Sequence, residues 1–149
     1  MATVHYSIDA KLYKATSIAP TPDWDEITLV KDVTLTLEKS EFDVTTRANG
    51  GWKAVAAAMK DATIEFEMPW DPSDTVFKAL LDAFNANTVL GIACMDKDIT
   101  TAGAEGLWAD CVVLSFTREE PLEEGLTAKI KVKPTLSANA PLWKTVAAA

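Results

Sequence analysis

Apolar and polar residues alternate with a period of two along most of this chain. In TVHYSIDAKLY, Val4, Tyr6, Ile8, Ala10 and Leu12 fall on one side and His5, Ser7, Asp9 and Lys11 on the other, which predicts a half-buried strand. ITLVKDVTLTLE repeats the pattern, with Val33, Leu35 and Leu37 against Thr34 and Thr36, and its β-branched content favours the same assignment. EFDVTTR is a shorter strand candidate. DATIEFEM is a clear one, with Ala62, Ile64, Phe66 and Met68 alternating with Thr63, Glu65 and Glu67. TVLGIACM is apolar on both faces, as a central buried strand is. LWADCVVLSFTRE reads as a long strand. In LTAKIKVKPT, Leu126, Ala128, Ile130 and Val132 alternate with Thr127, Lys129, Lys131 and Lys133.

One helix interrupts these strands. In DPSDTVFKALLDAFNAN, Asp71 is placed to cap, Pro72 suits the first helical position and Asp74 sits in the first turn. Val76, Phe77, Leu80, Leu81 and Phe84 form one apolar face, and Asn85 and Asn87 suit termination. The helix is expected to pack on a sheet and carry no chemistry. APTPDWDE, DKDITTAGAEG and EPLEEG read as loops and turns, and the tail LSANAPLWKTVAAA as loop framing the exterior of an assembly. The total is six or seven strands and one helix: a mainly β chain, a sandwich or barrel with a flanking helix.

The stretch RANGGWKAVAAAM does not fit that scheme. WKAVAAAM has the propensity for about two helical turns. The preceding Asn49-Gly50-Gly51 and the strand that follows favour a hairpin arm or loop instead. The expected organisation is one domain over residues 1–149, with a loop or arm at about 47–60 and a C-terminal extension at about 135–149.

Composition narrows the function. Hydrophobic residues make up 48% and charged ones 24%, which is globular. No apolar run reaches the ~20 residues of a membrane span. MATVHYSIDA has neither a basic n-region nor an apolar h-region, which predicts no signal peptide and synthesis in the cytosol. A net charge of −8 opposes nucleic-acid binding by phosphate neutralisation. Cys94 and Cys111 lie in apolar runs without a CxxC, so they read as small buried hydrophobes rather than metal ligands.

A reaction centre is not legible. The single histidine, His5, sits in a strand, and the carboxylate pairs Glu65/Glu67, Glu119/Glu120 and Glu123/Glu124 read as solvated faces. DPSD and DKD do not extend to a calcium loop, and phosphate-loop and dinucleotide fingerprints are missing from the sequence. No enzyme, no cofactor and no metal site is expected. Trp24, Trp52, Trp70 and Trp143 in turn-rich or terminal regions either anchor an interface or staple the chain's own loops. The Thr and Glu face of DATIEFEM would line an aqueous channel if copies closed into a ring. Lys129, Lys131 and Lys133, pairing across strands with Glu65 and Glu67, would make that lining mixed.

The segments DAKLY, KDVTLTLEKSEFDVTTRANGGWKA, KDATIEFEMPWDPSD and GLWADCVVLSFTREEPLEEGLTAKIKVKPT, followed by the Trp-containing tail, cover most of the chain. In that order the chain resembles the major tail tube proteins of long-tailed, non-contractile (siphovirus-type) bacteriophages and their prophage relatives. The resemblance implies a β-sandwich or barrel tail-tube fold with one flanking helix and a long inter-strand loop. It further implies hexameric rings that stack into a hollow tube, a homo-oligomeric helical polymer of the virion tail assembled in the host cytoplasm. Viral DNA passes through the lumen during ejection. Expected partners are further copies of the chain, tail tip or baseplate and tail terminator proteins, and a tape measure protein in the lumen, with no membrane. By the same resemblance Arg47, Gly50, Gly51, Trp52, Val55, Met59 and Trp143 are expected at subunit interfaces, and Glu65 and Glu67 toward the lumen. Gene transfer agents, bacteriocin tails and secretion tubes share related folds and stay open as alternatives. A monomeric barrel binding a small ligand is the reading from another class, disfavoured by inward positions that are aliphatic and aromatic.

Overall fold

A computed structural model describes residues 10–19, 22–120, 122, 125–135 and 137–147. The elements in chain order are strands β1 (Lys11–Ala15), β2 (Asp25–Glu26), β3 (Val33–Asp43) and β4 (Val55–Pro69), helix α1 (Thr75–Ala86), and strands β5 (Leu90–Met95), β6 (Glu105–Glu119), β7 (Thr127–Pro134) and β8 (Leu142–Thr145). They form one eight-stranded sheet in the order β2-β1-β5-β6-β7-β4-β3, with β8 also paired to β6. Every pairing is antiparallel. β7 and β8 lie end to end along β6: Pro134 stands opposite Cys111 and Leu142 opposite Trp108.

The alternation expected from the sequence sets the core. Ala62, Ile64, Phe66 and Met68 of β4, and Ala128, Ile130 and Val132 of β7, are buried against Phe77, Leu80 and Ala83 of α1. β6 keeps the same phase through Leu107, Ala109, Cys111 and Val113. Its register then shifts between Val113 and Ser115, leaving Leu114 exposed and returning Phe116 to the core side. Phe77 is met edge-on by Trp70 at 5.2 Å and by Phe116 at 5.5 Å, and the Arg118 guanidinium lies 5.0 Å from the Trp70 ring centre. This aromatic set fixes α1 on the sheet.

On the reverse face of β1 and β5, Tyr13, Ala93, Met95 and Ala104 form a smaller cluster with Trp24 and Trp108 against it. β1 is therefore buried on both faces at Leu12 and Tyr13, where simple alternation predicts one wet side. The N-terminal positions Val4 to Ile8, and His5 with them, lie outside the described residues.

Four expectations change. Of the readings open for the Ala-rich stretch, helix and loop give way to a hairpin arm: residues 55–60 belong to β4, and the connection is confined to residues 44–54. Backbone pairing with β3 outweighs alanine's helix preference, because a two-turn helix there would leave its first and last polar groups unpaired. EFDVTTR is not a separate strand, since β3 runs unbroken from Val33 to Asp43. The helix cap is Asp74, whose carboxylate accepts from the Phe77 N–H at 3.2 Å, while Asp71 closes the preceding turn by accepting from the Ser73 N–H. Asn87 ends the helix in the left-handed region at φ 56°. The tail is not all loop: Leu142–Thr145 forms β8, whose backbone completes the free edge of β6.

Candidate assembly surface

β3 and β4 extend past the core as a two-stranded arm. Their ladder runs from Val33 opposite Phe66 to Asp43 opposite Val55, with a register shift between Lys39 and Glu41 where the Met59 N–H bonds the Ser40 hydroxyl at 3.1 Å. Ala62, opposite Leu37, is the last buried residue of the ribbon, so the segment from Glu38 to Asp43 reaches ~20 Å beyond it.

The arm's tip is an ordered turn. Val44 N–H donates to the Ala54 carbonyl, the Ala54 N–H donates to Thr45 Oγ1 at 2.8 Å, and Thr45 Oγ1 donates back to the Ala54 carbonyl at 3.2 Å. Asp43 accepts from the Thr45 N–H at 2.8 Å, and its bonds to the Thr45 side chain and backbone hold its carboxyl below the usual range. Arg47–Asn49 forms a single 3-10 turn. Gly50 and Gly51 follow at φ 61° and 86°, a left-handed pair that side chains rarely tolerate and that carries the chain back toward β4.

What the arm displays is apolar. Trp52 at the tip and Met59 at the register shift are each 79% exposed, and Phe42 and Val55 are also out in solvent. Arg47, Gly50, Gly51, Trp52, Val55 and Met59 are thus collected on one arm with their residues exposed. Trp143 stands elsewhere, on β8, 52% exposed, with its Nε1–H donating to Glu105 at 3.3 Å. Trp24 and Trp70 instead pack within the domain, Trp24 edge-on to Trp108 at 5.0 Å. The tryptophans therefore divide between interface candidates and internal staples.

The outer face of β3, β4, β7 and β6 is polar and laid out in rows. Thr34, Glu65, Lys131 and Ser115 form one, and Glu67, Lys129 and Thr117 the next. Glu65 and Glu67 do sit on one wet face, each directly opposite a lysine. The ion pairs these lysines form reach past them: Lys129 to Glu119 and Lys133 to Asp61, both at 3.0 Å. The hydrogen bond and charge of Glu119, with a smaller effect of Glu67, push Lys129 above its usual range. By strand alternation this face carries Asp32, Glu38, Asp61, Glu65, Glu67 and Glu119 against Lys129, Lys131 and Lys133. It is mixed in sign and acidic in balance.

A buried carboxylate that sequence reading missed secures the C-terminal part. Asp110 is 2% exposed and accepts from the Ile18 N–H at 3.0 Å, the Ser137 hydroxyl at 2.8 Å and the Asn139 amide at 3.2 Å. Gly91 is its cross-strand partner, and a Cβ there would lie 2.8 Å from the Ser17 carbonyl carbon. The missing side chain lets residues 17–18 cross β5 and reach the carboxylate. The available signal was an aspartate in the otherwise apolar run LWADCVV.

Both cysteines are free, and burial pushes the Cys94 thiol up to about 11 and the Cys111 thiol up to about 12. Among the described residues no group of three or more His, Cys, Asp or Glu side chains is placed to hold a metal, and no helix is long and apolar enough to cross a membrane.

The class these features define is a mainly β scaffold with one helix and a projecting apolar hairpin. No protein-family model and no curated protein matches the chain. Solved structures do. The tail of an empty GTA particle, refined with C6 symmetry, superposes with a TM-score of 0.74 over 97% of this chain and 100% of that one, at 11% identity. The virion of a native gene transfer agent (GTA) particle gives 0.73 over 95% and 100%, at 13% identity. The SPP1 tail tube gives 0.74 over 96% of this chain and 80% of that one, at 10% identity. The chain has the tail-tube fold.

Proposed function

We propose that this chain is a structural subunit of a phage-type tail tube, and that it works by polymerising. The observation that carries the reading is the arm. A ribbon with Trp52 and Met59 in solvent is a poor design for a solitary domain, because exposed apolar strands invite association. The full-length similarity to tail structures gives that association a form: rings of six, stacked head to tail, with DNA passing through the bore. Arg47, Gly50, Gly51, Trp52, Val55, Met59 and Trp143 are the proposed interface, and no catalytic step is part of this reading.

The polar face fits the lumen. Four strands from each of six copies, at ~4.8 Å per strand, close a circle of roughly 115 Å, or ~37 Å across between backbones. Side chains narrow that bore. Glu65 and Glu67 lie on it with six carboxylates facing three lysines, so the wall repels phosphates weakly and offers few sites to hold them. The remaining proposed partners are a tape measure protein within the bore, a tail tip or baseplate and a terminator at the ends. Assembly is proposed in the host cytoplasm.

A gene transfer agent is the second reading for the particle, because the chain matches all of the GTA tail chain but 80% of the SPP1 chain. Sequencing the packaged DNA separates them: random host fragments indicate a gene transfer agent, a defined genome a phage. The subunit reading itself is tested by negative-stain electron microscopy of the purified chain across a concentration series, alongside sizing chromatography. Hollow tubes or six-fold rings are expected. A monomer at every concentration, even with tail-tip complex added as initiator, would refute it.

A further inference from the structure

At the root of the arm the chain leaves a groove of about 610 Å³ between the β3–β4 ribbon and β8. Leu37, Ala62, Leu107, Pro141, Leu142 and Trp143 line it, and among the described residues no side chain fills it. We infer that this groove receives the arm tip of a second copy of the chain, with Trp52 as the inserted side chain. The inference rests on the tube reading and adds the receiving surface.

Three observations support that occupant. The first is size and polarity: a cavity of ~150 Å³ holds benzene, so the groove has room for an indole and its neighbours. Phe42, Val44, Trp52 and Val55 are exposed apolar side chains at the end of the arm, and Trp52 is the largest and most exposed of them.

The second is charge. Lys39 lies opposite Lys60, a like-charge pair on the groove side of the ribbon, the side that carries Leu37 and Ala62, while Glu38 and Asp61 alternate to the outer face. Directly opposed like charges destabilise a ladder. Lys133 relieves Asp61, but among the described residues no ion pair holds Glu38, Lys39 or Lys60. The end of the arm carries Glu41 and Asp43 beside Arg47 and Lys53, so an arriving tip brings two carboxylates to set against Lys39 and Lys60.

The third is reach. A chain's own tip is held away from its own groove by the ladder from Lys39 to Asp43, so a tip seated there comes from another copy. Tip and groove are different surfaces, and the contact is therefore heterologous and repeats from copy to copy. The arm from Glu38 to Lys60 also has the length of one side of a standard interface, ~20–30 residues.

The test uses the full chain in two complementary variants. Trp52→Ser removes the inserted group and leaves the groove. Leu37→Glu with Leu142→Glu, both at exposed positions, blocks the groove and leaves the arm; Trp143→Ala is a second groove variant that adds no charge. Each variant alone is expected to need at least tenfold more protein than wild type to polymerise, with an unchanged circular dichroism spectrum. A one-to-one mixture of arm and groove variants is expected to advance by one joint and stop, giving by light scattering a species of twice the mass of either alone. Groove variants that polymerise like wild type, or a mixture that does not double, would overturn the docking while leaving the tube reading in place. If the wild-type chain itself never assembles, the tube reading falls and the docking falls with it.

Discussion

Replacing Asp110 with alanine would strip three donors of one acceptor: the Ile18 N–H, the Ser137 hydroxyl and the Asn139 amide. Hydrogen bonds to a charged acceptor contribute about 1.5–3 kcal/mol each, but they do not add. Ser137 and Asn139 are only partly buried and can turn to water. Ile18 is buried, and its orphaned N–H costs ~1–3 kcal/mol outright. A loss of about 3–5 kcal/mol follows, or roughly 10–15 °C in melting temperature for a chain of this size. The damage should be local first, because Ser137 and Asn139 are what return the chain to β6 as β8. Hydrogen exchange at residues 142–146 is expected to quicken more than at β4 or β7. Gly91→Ala drives a Cβ into the backbone that Asp110 holds, so it should act through the same contact. The double variant should therefore be little worse than the more severe single one. A melting temperature for Asp110→Ala within about 2 °C of wild type, or full additivity with Gly91→Ala, would show that the carboxylate does not hold these segments together.

Trp52→Ala with Met59→Ser should change monomer stability by no more than about 0.5 kcal/mol, as exposed positions do, while removing about 1.5–3 kcal/mol of apolar burial per side chain from each joint. Unchanged circular dichroism with no tubes is expected, and an unfolded monomer would place the arm in its own core. Cys94 and Cys111 should resist a thiol reagent at pH 8 and both react after denaturation, since burial holds them up to about 11 and about 12 and the thiolate is the reactive form. Both folded values lie above the ordinary 9.0, so their contribution to stability is level below pH 9.0 and declines as pH rises beyond it. Alkaline melts give the check, and rapid native labelling at pH 8 would contradict the burial.

The sequence was informative where one face of an element is buried and the other wet. β4 and β7 alternate cleanly, and α1 carries Phe77 and Leu80 on a single stripe, so periodicity located all three. It was less informative where pairing rather than burial decides. Residues 55–60 have helix-forming composition and little to bury, and only the register with β3 makes them strand. β8 is exposed throughout and exists because β6 has an edge to complete. Trp52, Val55, Met59 and Trp143 were legible as apolar side chains without a place in the alternating core, and the structure leaves all four exposed. Asp110 escaped because its partners lie 92, 27 and 29 residues away, a separation no local pattern encodes.

An exposed apolar ribbon is a hazard as well as a joint, and charge is what distinguishes the two uses. Any strand edge bearing Phe42 and Val55 attracts other edges without regard to register. The opposed pairs Glu38–Asp61 and Lys39–Lys60 weaken the ribbon itself, yet they make most chance contacts worse still. The two pairs stand on opposite faces of the ribbon, so a partner that brings cations to the groove face aggravates Lys39 and Lys60, whereas Glu41 and Asp43 at an arm's end can relieve them. Such selectivity depends on salt. At 0.1 M the Debye length is about 10 Å, enough for exposed charges to act on an approaching chain, but at 1 M it is about 3 Å. Apolar attraction persists at 1 M while this discrimination fades, so polymer should still form but with fewer regular tubes and more irregular aggregate. Electron microscopy of wild type in 0.1 and 1 M sodium chloride measures the ratio directly. Equally regular tubes at both concentrations would mean that shape alone selects the joint and that the two like-charge pairs have no part in it.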